Sequence, residues 1–222
     1  MYSSESEAGR HVLIAAIQHS ICVVLNAHIF LPFRAYVSHE TRPIAESICR
    51  RNSSLEAIWR VITVNALTEN PSLLKPSTIA FQRLAHNLVV SWQPLVGEQE
   101  RDHLCKLATE LFMQINATWL DLMKFEDRIY AEDEVSAAYF DSDSEEEPYS
   151  PPGGFALPDS TSPVLCLFPA FFKSIKSNPS RPALLQKGTA MFRDSPPLLV
   201  ALSEAEEVSS SPRANHKRKM IQ

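Results

Sequence analysis

The sequence predicts a mainly α protein in four parts. Five helices form a bundle-like N-terminal domain over 1–131, and an acidic disordered linker rich in Pro and Ser covers 132–162. A small apolar segment over 163–208, with runs that could form a β-hairpin and a short helix, docks on the helical domain. A basic disordered tail covers 209–222. Three observations lead there. No glycine occurs from residue 10 to residue 96, and apolar residues recur at helical spacing through most of the first 131 positions. Charge falls into unlike blocks: 1–131 is almost neutral, 132–147 holds eight acids and no base, and 148–222 has nine bases against five acids. Proline follows the same division, with five in 1–94, none in 95–147 and eleven in the last 75 residues.

The first helix is expected over 9–31 and ends before Pro32, which lacks a backbone donor and restricts its predecessor. A second spans 43–51, with Pro43 suited to a first turn. A third runs from Ser53 to Glu69. Ser53-Ser-Leu-Glu56 has the form of a capping box, Ile58, Trp59, Ile62, Ala66 and Leu67 supply its apolar face, and Pro71 ends it. A fourth covers 77–93, with Ile79, Leu84, Leu88, Val89 and Trp92 turned inward and Pro94 and Gly97 closing it. A fifth covers 98–130, with Leu104, Leu107, Leu111, Ile115, Thr118, Leu122 and Phe125 as the core stripe and Glu100, Asp102, Lys106 and Glu110 opposite. Five such helices supply enough apolar surface for a bundle core.

The linker combines an acidic run with Pro, Gly and Ser, a composition that cannot offset its ordering entropy. Residues 164–172 and 183–192 are apolar runs of strand length, with Lys187-Gly188 a possible turn between paired strands. Two strands alone are marginal in water, so they should pack on the helices or on a partner. A short helix over 195–208 follows Pro196 and Pro197.

With 26 acids and 21 bases the net charge is −5, which excludes a generally basic nucleic-acid coat. Four cysteines, Cys22, Cys49, Cys105 and Cys166, lack the short spacing of a zinc module or a disulfide scaffold and read as reduced, mostly buried thiols. The polar, acidic start argues against a secretory signal. The run Val12–Leu31 approaches a membrane span in length, yet Gln18, His19, Ser20, Asn26 and His28 interrupt it, which favours a buried core helix. A cytoplasmic or nuclear location fits. The sequons at Asn52 and Asn116 read as accidental.

The segments LEAIWRVITVNAL (55–67), VLCLFPAFFK (164–173) and LLQKGTAMFRDSPPLL (184–199) resemble uncharacterised helical proteins of filamentous fungi. The resemblance implies a helical N-terminal half, an acidic spacer and a short apolar C-terminal segment. It implies no activity.

Catalytic and metal chemistry find little support. His19 and Cys22 lie three apart and His103 and Cys105 two apart, but an i, i+2 pair diverges on a helix, so zinc ligation is not expected. The sequence shows neither a nucleophile elbow nor a phosphate loop. A Cys–His pair, Cys22 or Cys105 with His86, would need a geometry that sequence does not show. Glu98, Glu100 and Asp102 suit the positive end of a helix dipole, and Glu100-Arg-Asp-His103 is a lone ExxH pair. No cofactor is expected.

Modification is the sharper signal. Ser142 and Ser144 lie in Asp141-Ser-Asp-Ser-Glu-Glu-Glu147, each with an acid three residues on, as an acidophilic kinase of the casein kinase type requires. Ser53 follows two arginines, although as a helix cap it would be unavailable. Ser150, Ser162, Ser195 and Ser211 each precede proline. Arg213, Lys217, Arg218 and Lys219 form a small import-like basic cluster, too few charges to bind nucleic acid alone. The expected function is a non-enzymatic adaptor or regulatory module that binds protein partners and is tuned by phosphorylation of the acidic linker. The alternatives are a membrane-associated protein through residues 12–31, or an enzyme with Gln18, His19, Asn26 and His28 lining a site inside the bundle.

Overall fold

The computed structural model describes residues 6–30, 47–48, 50–93, 95–134, 139–142, 163–175 and 178–210. Among them the chain is mainly helical. The helices are α1 (Glu7–His28), α2 (Ser53–Glu69), α3 (Pro71–Ser91), α4 (Glu98–Met123) and α5 (Pro196–Ser210). The strands are β1 (Ile129–Glu132), β2 (Phe140–Ser142), β3 (Pro163–Phe168), β4 (Ala170–Ile175), β5 (Asn178–Gln186) and β6 (Gly188–Phe192). They form two three-stranded sheets, ordered β1-β4-β5 and β2-β6-β3. Of the helix expected over 43–51, residues 47, 48, 50 and 51 are described, and they are helical.

Local chemistry sets the helix ends. Ser6 opens α1, its Oγ accepting from the Gly9 N–H at 2.9 Å, so the helix starts two residues before the expected position. Asn52, and not Ser53, caps α2: its Oδ1 accepts from the backbone N–H groups of Ser54 (3.0 Å) and Leu55 (3.2 Å). The expected capping box is therefore not formed, because Glu56 is drawn elsewhere. Pro71 both ends α2 and starts α3, with only Asn70 between them in an extended conformation. Helix α3 so begins six residues before the expected start and passes through Pro76, which contributes no N–H to the helical ladder. Ser195 opens α5. Its carbonyl accepts from the N–H groups of Leu198 and Leu199, and its Oγ accepts from the Phe192 N–H at 3.0 Å.

Contacts divide the chain into two units. One comprises Met1–His19, Glu134–Phe168 and Gly188–Gln222, the other Ser20–Asp133 and Pro169–Lys187. This division cuts across the contiguous segments 1–131 and 163–208 expected from sequence. The reason lies in the strands. Both apolar runs are interrupted, the first at buried Pro169 and the second at Lys187, and each half joins a different sheet. β3 pairs antiparallel with β6, and β4 pairs antiparallel with β5. Lys187-Gly188 is thus a crossing from one sheet to the next and not the expected turn. The segment between β4 and β5 spans residues 176–177.

In the first unit, Ala15 of α1, Leu167 of β3 and Met191 of β6 form a buried cluster, joined by Val12, Leu165 and Leu198. Ala8 packs with Val200 and Ala201 of α5. His19 Nδ1 lies 2.9 Å from the Cys166 carbonyl oxygen; since a carbonyl only accepts, that ring nitrogen carries the proton. β2 lies within the stretch expected to be a disordered linker; it pairs in parallel with β6 through Phe140–Gly188, Asp141–Thr189 and Ser142–Ala190.

Among the helices of the second unit α3 and α4 pack most extensively, with α2 against both. Phe81, Ala85, Leu88 and Val89 form the inner face of α3, and just past its end the buried Trp92 donates its indole N–H to Ser20 Oγ at 2.9 Å. Ile79, expected inside, is exposed. Helix α4 turns Phe112, Asn116, Trp119, Leu120 and Met123 inward. This corrects the expected stripe: Leu107, Leu111, Thr118 and Phe125 are exposed. Two apolar rows at helical spacing compete on this helix, and the row with Phe112 and Trp119 offers the larger area to bury. The rings of Phe30, Trp119 and Phe171 meet with centroids 5.1–6.2 Å apart, and Tyr130 stacks on Phe172, its partner across β1 and β4.

Arg60 joins these pieces. Its side chain is fully buried, and its Nε donates to Glu56 Oε1 at 3.0 Å. Its Nη1 donates to the carbonyls of Met123 and Phe125, and its Nη2 to that of Glu126 at 3.1 Å. Helix α4 therefore ends at Met123, not near 130, and the chain turns directly into β1. Removing one partner of a buried pair leaves an uncompensated charge, so Arg60→Ala should destabilise the fold by about 3–5 kcal/mol. Asn52→Ala should cost about 1 kcal/mol through loss of the cap. Urea unfolding followed by circular dichroism measures both; equal, small losses would show that the buried arginine carries no special weight.

Candidate interaction and modification sites

Ser142 is the last described residue of β2, and Ser144 lies outside the described residues, as do Arg213, Lys217, Arg218 and Lys219 and the proline-directed candidates Ser150, Ser162 and Ser211. Ser142 stands at the end of an edge strand only three residues long. The Gly188 N–H, donating to the Tyr139 carbonyl at 3.0 Å, secures the start of that strand. A kinase that binds its substrate extended must therefore lift Ser142 from β6. Asp141, in the same strand, and Asp143 flank the serine with negative charge.

Ser195 has another role. It is 2% exposed and its hydroxyl is engaged at the start of α5, so it is not an acceptor site in the folded chain. The sequons are occupied similarly: the Asn52 side chain caps α2, and Asn116 is buried.

The residues considered for metal or catalysis do not converge. Among the described residues no group of three or more His, Cys, Asp or Glu could hold a metal ion. His103, Glu100 and His86 are exposed, whereas Cys22 is buried. On α1, Gln18 and His28 are exposed, and the His19 ring is committed to the Cys166 carbonyl. Both polar atoms of the Asn26 amide and the Trp119 indole N–H are buried without a hydrogen-bond partner. Asn26 lies one turn before Phe30, whose ring meets the Trp119 ring. Trp119 is not part of the row expected as the core stripe of α4, yet it is buried.

What the structure does present is apolar surface on helices. Leu107 and Leu111, one turn apart on α4, are 47% and 38% exposed. Leu55, Ile58 and Ile62 on α2 are also exposed. An acid-rich first turn, Glu98 and Glu100, lies at the start of α4. No family model matches the chain, and neither a curated protein nor a solved structure matches it.

Cys105 is half-buried on α4, and burial, followed by the Asp102 carboxylate, pushes its thiol above the ordinary cysteine range. Thiolate is the reactive form, so Cys105 should react slowly with iodoacetamide at neutral pH. Asp102→Asn removes the nearby negative charge and should move the labelling profile to lower pH. Mass spectrometry of the Cys105 peptide across pH reads this directly, and an unmoved profile would contradict the assignment of Asp102.

Proposed function

We propose that the protein is a non-enzymatic interaction module, an adaptor or regulatory protein, tuned by phosphorylation at Ser142 and Ser144. The observation that carries this reading is the outward row on α4. Leucines at i and i+4 that would ordinarily line a core face water instead, which is the arrangement a groove or helix of another protein reads. The partner is a protein, and an acidophilic kinase supplies the modification.

The placement of Ser142 gives the tuning a physical route. A phosphate adds about −1.5 to −2 charge at neutral pH. At the end of a three-residue parallel ladder, beside Asp141 and Asp143, that charge favours hydration and separation over pairing. The same charge change would alter partner on-rates. The basic cluster of Arg213, Lys217, Arg218 and Lys219 would then serve nuclear import or pair with the phosphorylated stretch, placing the protein in the cytoplasm, the nucleus or both. The resemblance to helical proteins of filamentous fungi agrees with such a layout and adds no activity.

The test is affinity purification of the tagged full chain from native extract, with and without phosphatase. The expected result is a stoichiometric partner whose recovery changes with phosphatase and falls for Leu107→Lys with Leu111→Lys. A chain that recovers no partner in either condition would remove the adaptor reading.

A second reading has its own observation. Among the described residues α1 is the one helix long and apolar enough to cross a membrane, and 28% of its apolar window is buried. Ile14 and Val23 are exposed on it. Membrane association through residues 12–31 predicts that the protein stays in the pellet after carbonate extraction; release into the supernatant dismisses it.

A further inference from the structure

Helix α2 has two unlike faces. Glu56, Ala57, Arg60 and Val64 are buried. Opposite them, Leu55, Ile58 and Ile62 are 54%, 58% and 63% exposed, and Ala66 and Glu69 are exposed further along. The steps between these positions are three or four residues, so all five lie on one line along the helix. Large aliphatic side chains aligned in this way differ from the scattered exposed residues of an ordinary surface.

The row is complementary to itself. Laid antiparallel on a second copy, with a two-fold axis crossing near position 60, Ile58 comes opposite the partner's Ile62, and the reverse. Leu55 comes opposite the partner's Asn65 and Ala66. At the ends, exposed Arg51 lies beyond the extended Asn52 cap, off the helical row but beside the N-terminal end of α2, where the antiparallel arrangement brings the partner's exposed Glu69. A parallel pairing would instead set arginine against arginine and glutamate against glutamate. The antiparallel arrangement also brings opposite ends of the two helix dipoles together.

We propose that α2 is a self-association face and that its occupant is a second copy of this chain, bound antiparallel through Leu55, Ile58 and Ile62 with Arg51–Glu69 pairs at both ends. The contact is isologous, as a two-fold homodimer requires. It engages a different helix from the α4 row and does not depend on phosphorylation. One 17-residue helix is roughly 26 Å long, so the interface is small and the association concentration-dependent.

Sedimentation velocity on the full chain, up to roughly 100 μM and so about a hundredfold above a micromolar Kd, tests it. The expected result is a concentration-dependent shift from the 24.9 kDa monomer to the dimer. Ile58→Glu with Ile62→Glu should leave a monomer with unchanged thermal unfolding, since both positions face water. Arg51→Glu alone and Glu69→Arg alone should each weaken association by roughly tenfold, and the double exchange should restore it. A wild-type chain that stays monomeric throughout overturns the proposal, whether the row remains in water or another part of the chain covers it. So does a dimer that persists in the Ile58→Glu, Ile62→Glu variant. Failure of the double exchange to restore association overturns the antiparallel pairing.

Discussion

The buried Arg60 guanidinium is the constraint on which the helical unit depends. A guanidinium out of water is tolerable only when its donors are met, and here four of its five N–H groups are: one by Glu56 and three by carbonyls at and beyond the end of α4. The Met123 carbonyl would otherwise be an orphan of the helix terminus, and those of Phe125 and Glu126 follow just beyond it. The same contacts fix where α4 stops, and so where β1 can begin. Lys173 then pairs with Asp127 at 2.6 Å, and the Ser174 N–H donates to the Arg128 carbonyl at 2.8 Å, continuing the tie into β4. One positive charge thereby links α2, the end of α4 and the sheet β1-β4-β5.

The second constraint is the interrupted pair of apolar runs. An unbroken hairpin would have placed residues 163–192 in one sheet. Buried Pro169 has no N–H to donate, and the chain crosses at Lys187, so each run serves two sheets. Each sheet then gains a third strand from the region after α4, β1 in one case and β2 in the other. Three strands with a buried face are a stable arrangement where two are marginal. That is why a stretch dominated by acids still contributes ordered backbone at Phe140–Ser142: Gly188–Phe192 presents a largely buried strand for it to pair with.

The exposed apolar rows follow from what the core leaves over. Once Phe112 and Trp119 occupy the inside of α4, Leu107 and Leu111 have no room there. Once Glu56 and Arg60 turn inward on α2, the Leu55, Ile58 and Ile62 row must turn outward, because the two sets lie on opposite sides of one helix. A buried ion pair on α2 and an exposed apolar row are therefore two consequences of one rotation. Only neighbours beyond the helix could choose it.

Much of the organisation was legible in the local sequence. The helical character of the first half, the stop of α3 before Gly97, the start at Pro196-Pro197 and the acid-flanked serines all follow from properties of a few adjacent residues. The candidate site was legible in chemistry but not in placement: Ser142 reads as a kinase acceptor from Glu145 alone, while its position at the end of a strand needs residue 190. Glu56 shows the limit most plainly. It stands three residues after Ser53, as a capping box requires, and four before Arg60, as an ion pair requires, so spacing permits both. Which segments become helix, which runs suit strands and where charge gathers are local matters, because propensity, capping and periodicity act within a few residues. Which face of α2 and α4 is buried, which strands pair and where α4 ends are settled by contacts distant in the chain. Those outcomes depend on desolvation and packing against groups far along the chain, as where Arg60 meets the carbonyls of Met123, Phe125 and Glu126, 63–66 residues away.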